Sequence, residues 1–424
     1  MGPTAFSLLD LSPEILVQIL EELCLHCSGV VDSTDTQSLG RCDLQVAKAS
    51  QGALAALSRS CRVLRNVAQP YLYHYIAPGE KPRLLARTLM QRPALAQLVE
   101  ELAITALDCD RYNQLFLEEN QEMLEMQVRT DDFDKDAYRQ DRVMGMFMLK
   151  YTPKLRKLFV LTDSLMPVMR YPHGTLSCLT NLRAKCDDIG SGFCLSVLAG
   201  IMEAAPNLKT LTVNNITQVD LEEREIFSQS VTEVNIAEAA ISSEEFEMII
   251  RGFPNLQVLR FETGGDRAYD IWCATPADMA KILLIRKATL REINFSINAR
   301  FFPDELLERA DVIDDLSGMT SLETIVLSSE SIYSESDDNT YTDGSYLIDL
   351  LPESVKVLGL VDPSYHLEDD IFRLAARAYR RFPLLKKVML QDVGRSTRKA
   401  YKQAFKNVGI ECVKAKGLDV IVRN

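Results

Sequence analysis

The sequence has no long uncharged run. The longest, Ile189 to Met202, holds 14 residues, short of the roughly 18 to 20 apolar residues that a membrane-spanning helix needs, so neither a transmembrane span nor a membrane partner is expected. Histidine is scarce: His26, His74, His173 and His366 are the only four, too scattered to suggest a metal centre or a nucleophile with its base. The motifs of common chemistries are missing as well. There is no G-x-G-x-x-G after a predicted strand, no G-x-x-x-x-G-K, no H-E-x-x-H and no G-x-S-x-G, so a protein that is not an enzyme and takes no cofactor is expected. Positive charge is in deficit, 47 Lys and Arg against 60 Asp and Glu for a net charge of −13. Such a chain is not, as a whole, a polyanion binder, and nucleic acid is not an expected partner. The first residues lack a basic stretch, and Asp10 and Glu14 interrupt the apolar run behind them, which argues against a secretory signal. Pro3 and Phe6 disfavour myristoylation at Gly2. A cytoplasmic and/or nuclear protein is the remaining expectation.

What is present is ordinary globular material. Hydrophobic residues make up 47% of the 424 and charged residues 25%, which excludes general disorder and a fibrous chain. The length suits two or three folding units. The ten cysteines are scattered, and Cys109, Cys178, Cys194 and Cys412 sit in apolar segments as reduced core thiols would. Cys24, His26, Cys27 and Cys42 form the one cluster. A C-x-x-C pair can hold zinc, but structural sites want four ligands and a second well-spaced pair is missing. Helix-end and loop thiols with no bound metal are therefore expected here.

Residues 12 to 25 predict an amphipathic helix, with Ser12 as N-cap and Pro13 at the first helical position, where its missing N–H costs nothing. Ile15, Leu16, Ile19, Leu20 and Leu23 line one face. Further helices are predicted from Ala53 to Cys61 and from Arg62 to Tyr75. Three short helices share too few apolar residues for a large core, which leaves two readings: an ordinary helical cap, or a unit some of whose apolar residues are meant for another protein. The run Leu11-Ser12-Pro13-Glu14-Ile15-Leu16, then Leu57-Ser58-Arg59-Ser60-Cys61-Arg62-Val63-Leu64, then Ala68-Gln69-Pro70-Tyr71-Leu72-Tyr73 resembles the F-box in the form common in filamentous fungi. Ser12 stands where that family has Pro, and Leu64 where Trp is usual. Cys24 to Gly52 reads as a polar, mobile loop inserted between the first two helices. The module is assigned to residues 8–78. The resemblance implies a Skp-type adaptor as partner and, through it, a cullin, with Leu11, Pro13, Ile15, Leu16, Leu57, Cys61, Leu64 and Leu72 as the adaptor contacts or their direct support.

Beyond Pro82 one phrase recurs: an aliphatic residue, two others, an aliphatic, one other, an aliphatic. It appears as Val99/Leu102/Ile104, Leu155/Leu158/Val160, Leu208/Leu211/Val213, Val231/Val234/Ile236, Leu256/Leu259/Phe261, Leu290/Ile293/Phe295, Leu322/Ile325/Leu327, Val355/Leu358/Leu360 and Leu385/Val388/Leu390, with a degraded copy at Leu182. From Leu155 onward the spacing averages about 29 residues, the upper edge of leucine-rich repeat length. Pro153, Pro206, Pro254 and Pro383 precede several phrases, and helices are predicted between them, for example at 243–253 and 367–382. The fold class expected is therefore α/β: a three-helix module followed, over 79–424, by a strand–helix solenoid. A doubly wound α/β domain is the rival and would need fewer strands. The repeats resemble the irregular leucine-rich repeats that follow many F-boxes, without the Asn or Cys that usually ladders after the strand.

Side chains alternate along a strand, so the residues between and beside the aliphatic positions should face away from the core. That rule selects Phe159, Thr212, Asn235, Arg260, Asn294 and Met389 as target-binding candidates, with Arg260 and Phe159 as preferred anchors. Lys157, Asn214, Glu233, Glu262, Glu292, Ser296 and Gln391 should share their exposure. Acidic stretches at 118–136 and 328–345 read as solvated loops, and the cationic faces at Arg373/Arg377/Arg380/Arg381 and Arg395/Arg398/Lys399/Lys402/Lys406 as outer helix surfaces, with a docking surface for an acidic partner or nucleic acid as the alternative. Module and repeats together resemble the substrate receptor of a Skp-cullin-F-box ubiquitin ligase, in which the repeats hold an unidentified target. A non-degradative interaction scaffold is the alternative.

Overall fold

The computed structural model describes residues 8–28, 41–76, 82–104, 148–162, 171–186, 192–219, 226–264, 273–298, 302, 307–334, 345–361, 363, 367–391 and 393–414. It is a mixed α/β chain with a large parallel sheet. The first elements are helices: α1 (Pro13–Leu23), the single turn α2 (Leu25–Ser28), α3 (Arg41–Ser60) and α4 (Arg62–His74). Pro13 opens α1 behind an extended Ser12, as the missing proline donor permits. Cys61 caps α4, its Sγ accepting from the Leu64 N–H at 3.5 Å. The shared core is small. Leu20, Leu54 and Ala68 are its buried residues, with Leu23, Leu57, Val67, Tyr71 and Leu72 packed around them.

One expectation about this module is corrected. The segment Cys24 to Gly52 is not a continuous loop, because Leu25–Ser28 and Arg41–Gly52 are helical and α3 begins twelve residues before Ala53. The stretch from Arg41 to Gln51 carries no proline or glycine and includes good helix formers; Gly52 inside the helix costs only about 1 kcal/mol relative to Ala. Residues 29–40 lie outside the described part.

The chain then builds one sheet. The strands are β1 (Tyr75–Ile76), β2 (Glu101–Ile104), β3 (Lys157–Thr162), β4 (Asn181–Cys186), β5 (Phe193–Cys194), β6 (Thr210–Asn214), β7 (Ile216–Gln218), β8 (Glu233–Ala239), β9 (Val258–Thr263), β10 (Glu292–Ser296), β11 (Thr324–Ser328), β12 (Val357–Val361), β13 (Lys387–Leu390) and β14 (Glu411–Lys414). Helices α5 (Pro82–Gln91), α6 (Pro93–Ala96), α7 (Ala199–Ala204), α8 (Ser243–Gly252), α9 (Pro276–Leu283), α10 (Ser329–Ile332), α11 (Tyr346–Leu350), α12 (Glu368–Arg381) and α13 (Arg395–Asn407) lie between them. Twelve strands form the sheet in strict chain order, all parallel, while β5 and β7 pair separately. A doubly wound sheet reverses its strand order at a switch point; this order never reverses, so the rival topology is set aside.

Each aliphatic phrase is a strand, including the copy at Leu182. The register holds the second aliphatic positions in one lateral row, from Leu102 beside Leu158 and Leu182 to Val388 beside Cys412. That row and the next, which contains Phe261, Phe295, Leu327 and Leu360, are buried throughout the sheet's centre. The first aliphatic of each phrase, such as Leu208 or Leu256, is buried at the turn that enters the strand. Local signals set the helices: α8 starts with a capping box in which Glu245 N–H donates to Ser242 Oγ at 3.3 Å and Ser242 N–H to Glu245 Oε2 at 2.9 Å. Its Phe246 meets Phe261 edge-on, and Phe261 meets Phe295.

The acidic segment from Ser328 is not wholly an exposed loop. Ser328, Ser331 and Ser334 are buried, with Ser331 Oγ donating to Ser328 O at 2.6 Å and Ser334 Oγ to Leu307 O at 2.6 Å; residues 335–344 and 118–136 are outside the described part. The cationic residues of α12 and α13 are exposed, apart from a half-buried Arg398, as outer faces should be. Among the described residues no helix is long and apolar enough to cross a membrane.

Phe261 joins two aromatic neighbours at the centre of the sheet, so Phe261→Ala should cost about 3–5 kcal/mol. Urea unfolding followed by circular dichroism checks this, with Phe227→Ala, at a site 53% exposed, expected to leave the midpoint unchanged.

Candidate functional site

Because the helical module buries so little, its apolar residues remain outside. Leu8, Leu9, Ile15, Ile19 and Val63 are exposed large hydrophobics, five on one small unit, and a clustering of this kind marks an interaction surface. Three of them, Leu8, Leu9 and Ile19, line an open groove of about 730 Å³ together with Leu23, Ala53, Ala56, Leu57, Ser60, Cys61 and Leu64. Its floor continues into a narrow apolar gap bounded by Leu16, Leu20 and Ala68. The groove is of a size to receive several side chains.

The adaptor-binding residues expected from the sequence divide accordingly. Leu57, Cys61 and Leu64 line the groove. Leu16 is buried beneath it and supports it. Ile15 is exposed at 42%, Pro13 is exposed at the start of α1, and Leu11 is half-buried. Leu72 packs on the internal core around Leu20 and Leu54. Leu8, Leu9, Ala53, Ala56 and Val63 were not singled out by the sequence; the Leu8-Leu9 pair ahead of the helix was the available signal.

The second candidate surface is the strand row. Parallel pairing places Phe159 beside Arg183, Arg183 beside Thr212, Thr212 beside Asn235, Asn235 beside Arg260 and Arg260 beside Asn294. The row continues through Val326 and Gly359 to Met389. All six expected target-binding residues therefore fall on one line across the sheet. Their exposure differs from the expectation, because Phe159, Asn235 and Asn294 are buried, as are Asn214 and Gln391. Neighbouring strands stand about 4.7–4.9 Å apart, and long side chains lie over their neighbours: the Arg183 guanidinium sits 5.9 Å from the Phe159 ring centroid. Thr212, Arg260 and Met389 are half-exposed.

Arg260 is held on three sides. Its Nη2 donates to Glu292 Oε1 at 2.7 Å, and its Nη1 to Glu233 Oε1 at 2.6 Å and to Asn235 Oδ1 at 3.1 Å. Burial works against the charge, but Glu292 and Glu233 more than offset it and push the guanidinium pKa up. This anchor is thus a clamp across β8, β9 and β10 as well as a presented group.

A third constellation lies where the module meets the sheet. Donor atoms of Cys24, Cys27 and His74 all lie within 4.8 Å of one another, with Cys27 Sγ 3.4 Å from His74 Nδ1 and His74 Nε2 3.2 Å from Glu100 Oε1. Burial and the neighbouring Cys24 thiol push the Cys27 thiol up to about 12. The Cys24 thiol and the Glu100 carboxylate push His74 upward, against the opposing effect of burial. The sequence grouped the two cysteines with His26 and Cys42, and the 47-residue gap to His74 hid the third member. Comparison with known proteins finds no matching family model and no matching curated sequence.

Removing the Arg260 clamp leaves Glu233 and Glu292 facing one another across one strand. Arg260→Ala should therefore lower stability by about 1–3 kcal/mol, and adding Glu233→Gln with Glu292→Gln should recover most of it. Chemical denaturation of the four variants in a cycle measures the coupling.

Proposed function

We propose that the chain is the substrate receptor of a Skp-cullin-F-box ubiquitin ligase. In this reading α1, α3 and α4 are an F-box-like unit that seats a Skp-type adaptor, and the sheet with its helices is a leucine-rich-repeat-like solenoid that holds a target protein. The observation that carries it is the apolar groove, lined by Leu8, Leu9, Ile19, Leu57 and Leu64, on a unit whose core cluster among the described residues is small, built on Leu20, Leu54 and Ala68. The order of the F-box-like segments, each lying on the helices that form the groove, supports the same reading. The chain would supply no covalent chemistry of its own. Holding a target beside a charged conjugating enzyme replaces a bimolecular encounter by an intramolecular one, which is a sufficient source of rate.

Target binding falls on the half-exposed part of the strand row. Thr212, Arg260 and Met389 present a hydroxyl, a clamped cation and an adaptable thioether on a rigid backbone, so little ordering cost accompanies binding. Phe159, Asn235 and Asn294 shape that surface from beneath.

Burying each exposed aliphatic side chain contributes about 1.5–3 kcal/mol, and a charge in its place is left unpaired. Leu9→Asp with Ile19→Asp, at groove-lining positions 53% and 36% exposed, should keep the circular dichroism spectrum and abolish co-purification of a Skp-type adaptor and of cullin. Unchanged capture of both would remove the receptor reading, and adaptor without cullin would favour a scaffold. On the other face, Thr212→Arg with Met389→Asp should retain the adaptor and lose target proteins in pull-downs made under proteasome inhibition; retention of every target would move recognition off the strand row.

A further inference from the structure

Cys24 closes α1 and Cys27 lies one turn further, in α2. A spacing of three residues brings both thiols to one side of the turn, and the Ser28 N–H donating to Cys24 O at 2.9 Å closes that turn. His74 is the last residue of α4, 47 positions away. Immediately after it the chain enters β1, whose Tyr75 pairs with Glu101 of β2. The Glu100 N–H donates to His74 O at 3.1 Å while the Glu100 carboxylate takes His74 Nε2. Backbone and side chain together therefore fix the imidazole with Nδ1 toward the thiols.

We propose that Cys24, Cys27 and His74 form a binding site for a thiolate-preferring transition metal of the zinc class, which fastens the α1–α2 turn to the end of α4, where the chain enters the sheet. The distances fit this chemistry. With Zn–S near 2.3 Å and Zn–N near 2.0–2.1 Å at tetrahedral angles, the S···N edge is about 3.5 Å and the S···S edge about 3.8 Å. The observed Cys27 Sγ to His74 Nδ1 separation is 3.4 Å, and all three donors lie within 4.8 Å of one another. The donor set, two sulfurs and one imidazole nitrogen, is the soft combination that zinc favours over magnesium or calcium. Glu100 on the far ring nitrogen is the outer carboxylate that metal-bound histidines characteristically have, orienting the ring and raising its basicity. Three protein ligands leave a fourth position for water or a further donor.

Two other readings of the same residues are less well supported. A catalytic Cys27–His74–Glu100 relay would leave the second thiol, Cys24, within the same 4.8 Å cluster without a role. A Cys24–Cys27 disulfide would leave the placement of His74 and Glu100 without a purpose.

Purified full-length protein, prepared reduced and without chelator, should contain about one zinc per chain by elemental analysis. Replacement by cobalt should give the thiolate-to-cobalt charge-transfer band with intense tetrahedral visible bands. Cys27→Ser, at an exposed position, should keep the circular dichroism spectrum and lose the metal and the band; His74→Gln should do the same. Glu100→Gln should keep the band while weakening affinity by about 10–100-fold. Chelation should lower the melting temperature of the parent protein and not that of Cys27→Ser. Free thiols with no zinc and no cobalt band would overturn the proposal, as would metal content unchanged in Cys27→Ser, a mapped Cys24–Cys27 disulfide, or selective rapid alkylation of Cys27 without metal uptake.

Discussion

The structure depends on an in-register parallel ladder that starts at Tyr75 and ends at Lys414. Parallel neighbours keep equivalent residues side by side, so a repeated aliphatic phrase becomes two buried lateral rows, and the residues between them become a third row on the opposite face. Each strand contributes only a few apolar side chains, and no unit could bury them alone; stacking gives every strand a neighbour on which to do so. The strict chain order follows from the same constraint, because each new strand joins the edge left by the one before.

The helical module stands at the first edge of this ladder. α4 runs directly into β1, and Glu100 grips His74 through both backbone and carboxylate. The module therefore has its position set by the sheet, while its core cluster among the described residues is small, built on Leu20, Leu54 and Ala68. That imbalance is what leaves an apolar groove open on one side. A domain that needed only its own stability would have turned Leu9 and Ile19 inward or replaced them. The two ends of the proposed function, adaptor at the groove and target along the strand row, are thus joined by a short rigid connection rather than a linker.

Much of this was legible in the sequence, for identifiable reasons. The phrase of three aliphatics located every strand it marked, including the copy at Leu182, because a period of two, preceded in several copies by a helix-ending proline, is a local signal. α8 and α12 were located within two residues at each end by the same logic. The alternation rule chose the right face for Arg260, Thr212 and Met389 but overstated the exposure of Phe159, Asn235 and Asn294, since burial on a sheet depends on how far the neighbour's side chain reaches across. Gly52 was weighed as a boundary although a twenty-residue helix absorbs it. The Cys24, Cys27 and His74 constellation was invisible because its third member arrives through tertiary packing, and sequence proximity pointed to His26 and Cys42 instead. The groove was legible in part: Leu57, Cys61 and Leu64 came from the F-box resemblance, whereas Leu8 and Leu9 precede the first regular turn of the helix and carry no periodicity.

The account stands on the groove being a specific seat for an adaptor rather than incidental apolar surface. Titration calorimetry of the full-length chain with a purified Skp-type adaptor tests this most directly. The account predicts one-to-one binding with a dissociation constant of about 1 μM or tighter and a negative heat-capacity change from apolar burial. No heat at two temperatures, with no complex on gel filtration at about 100 μM of each protein, would contradict it.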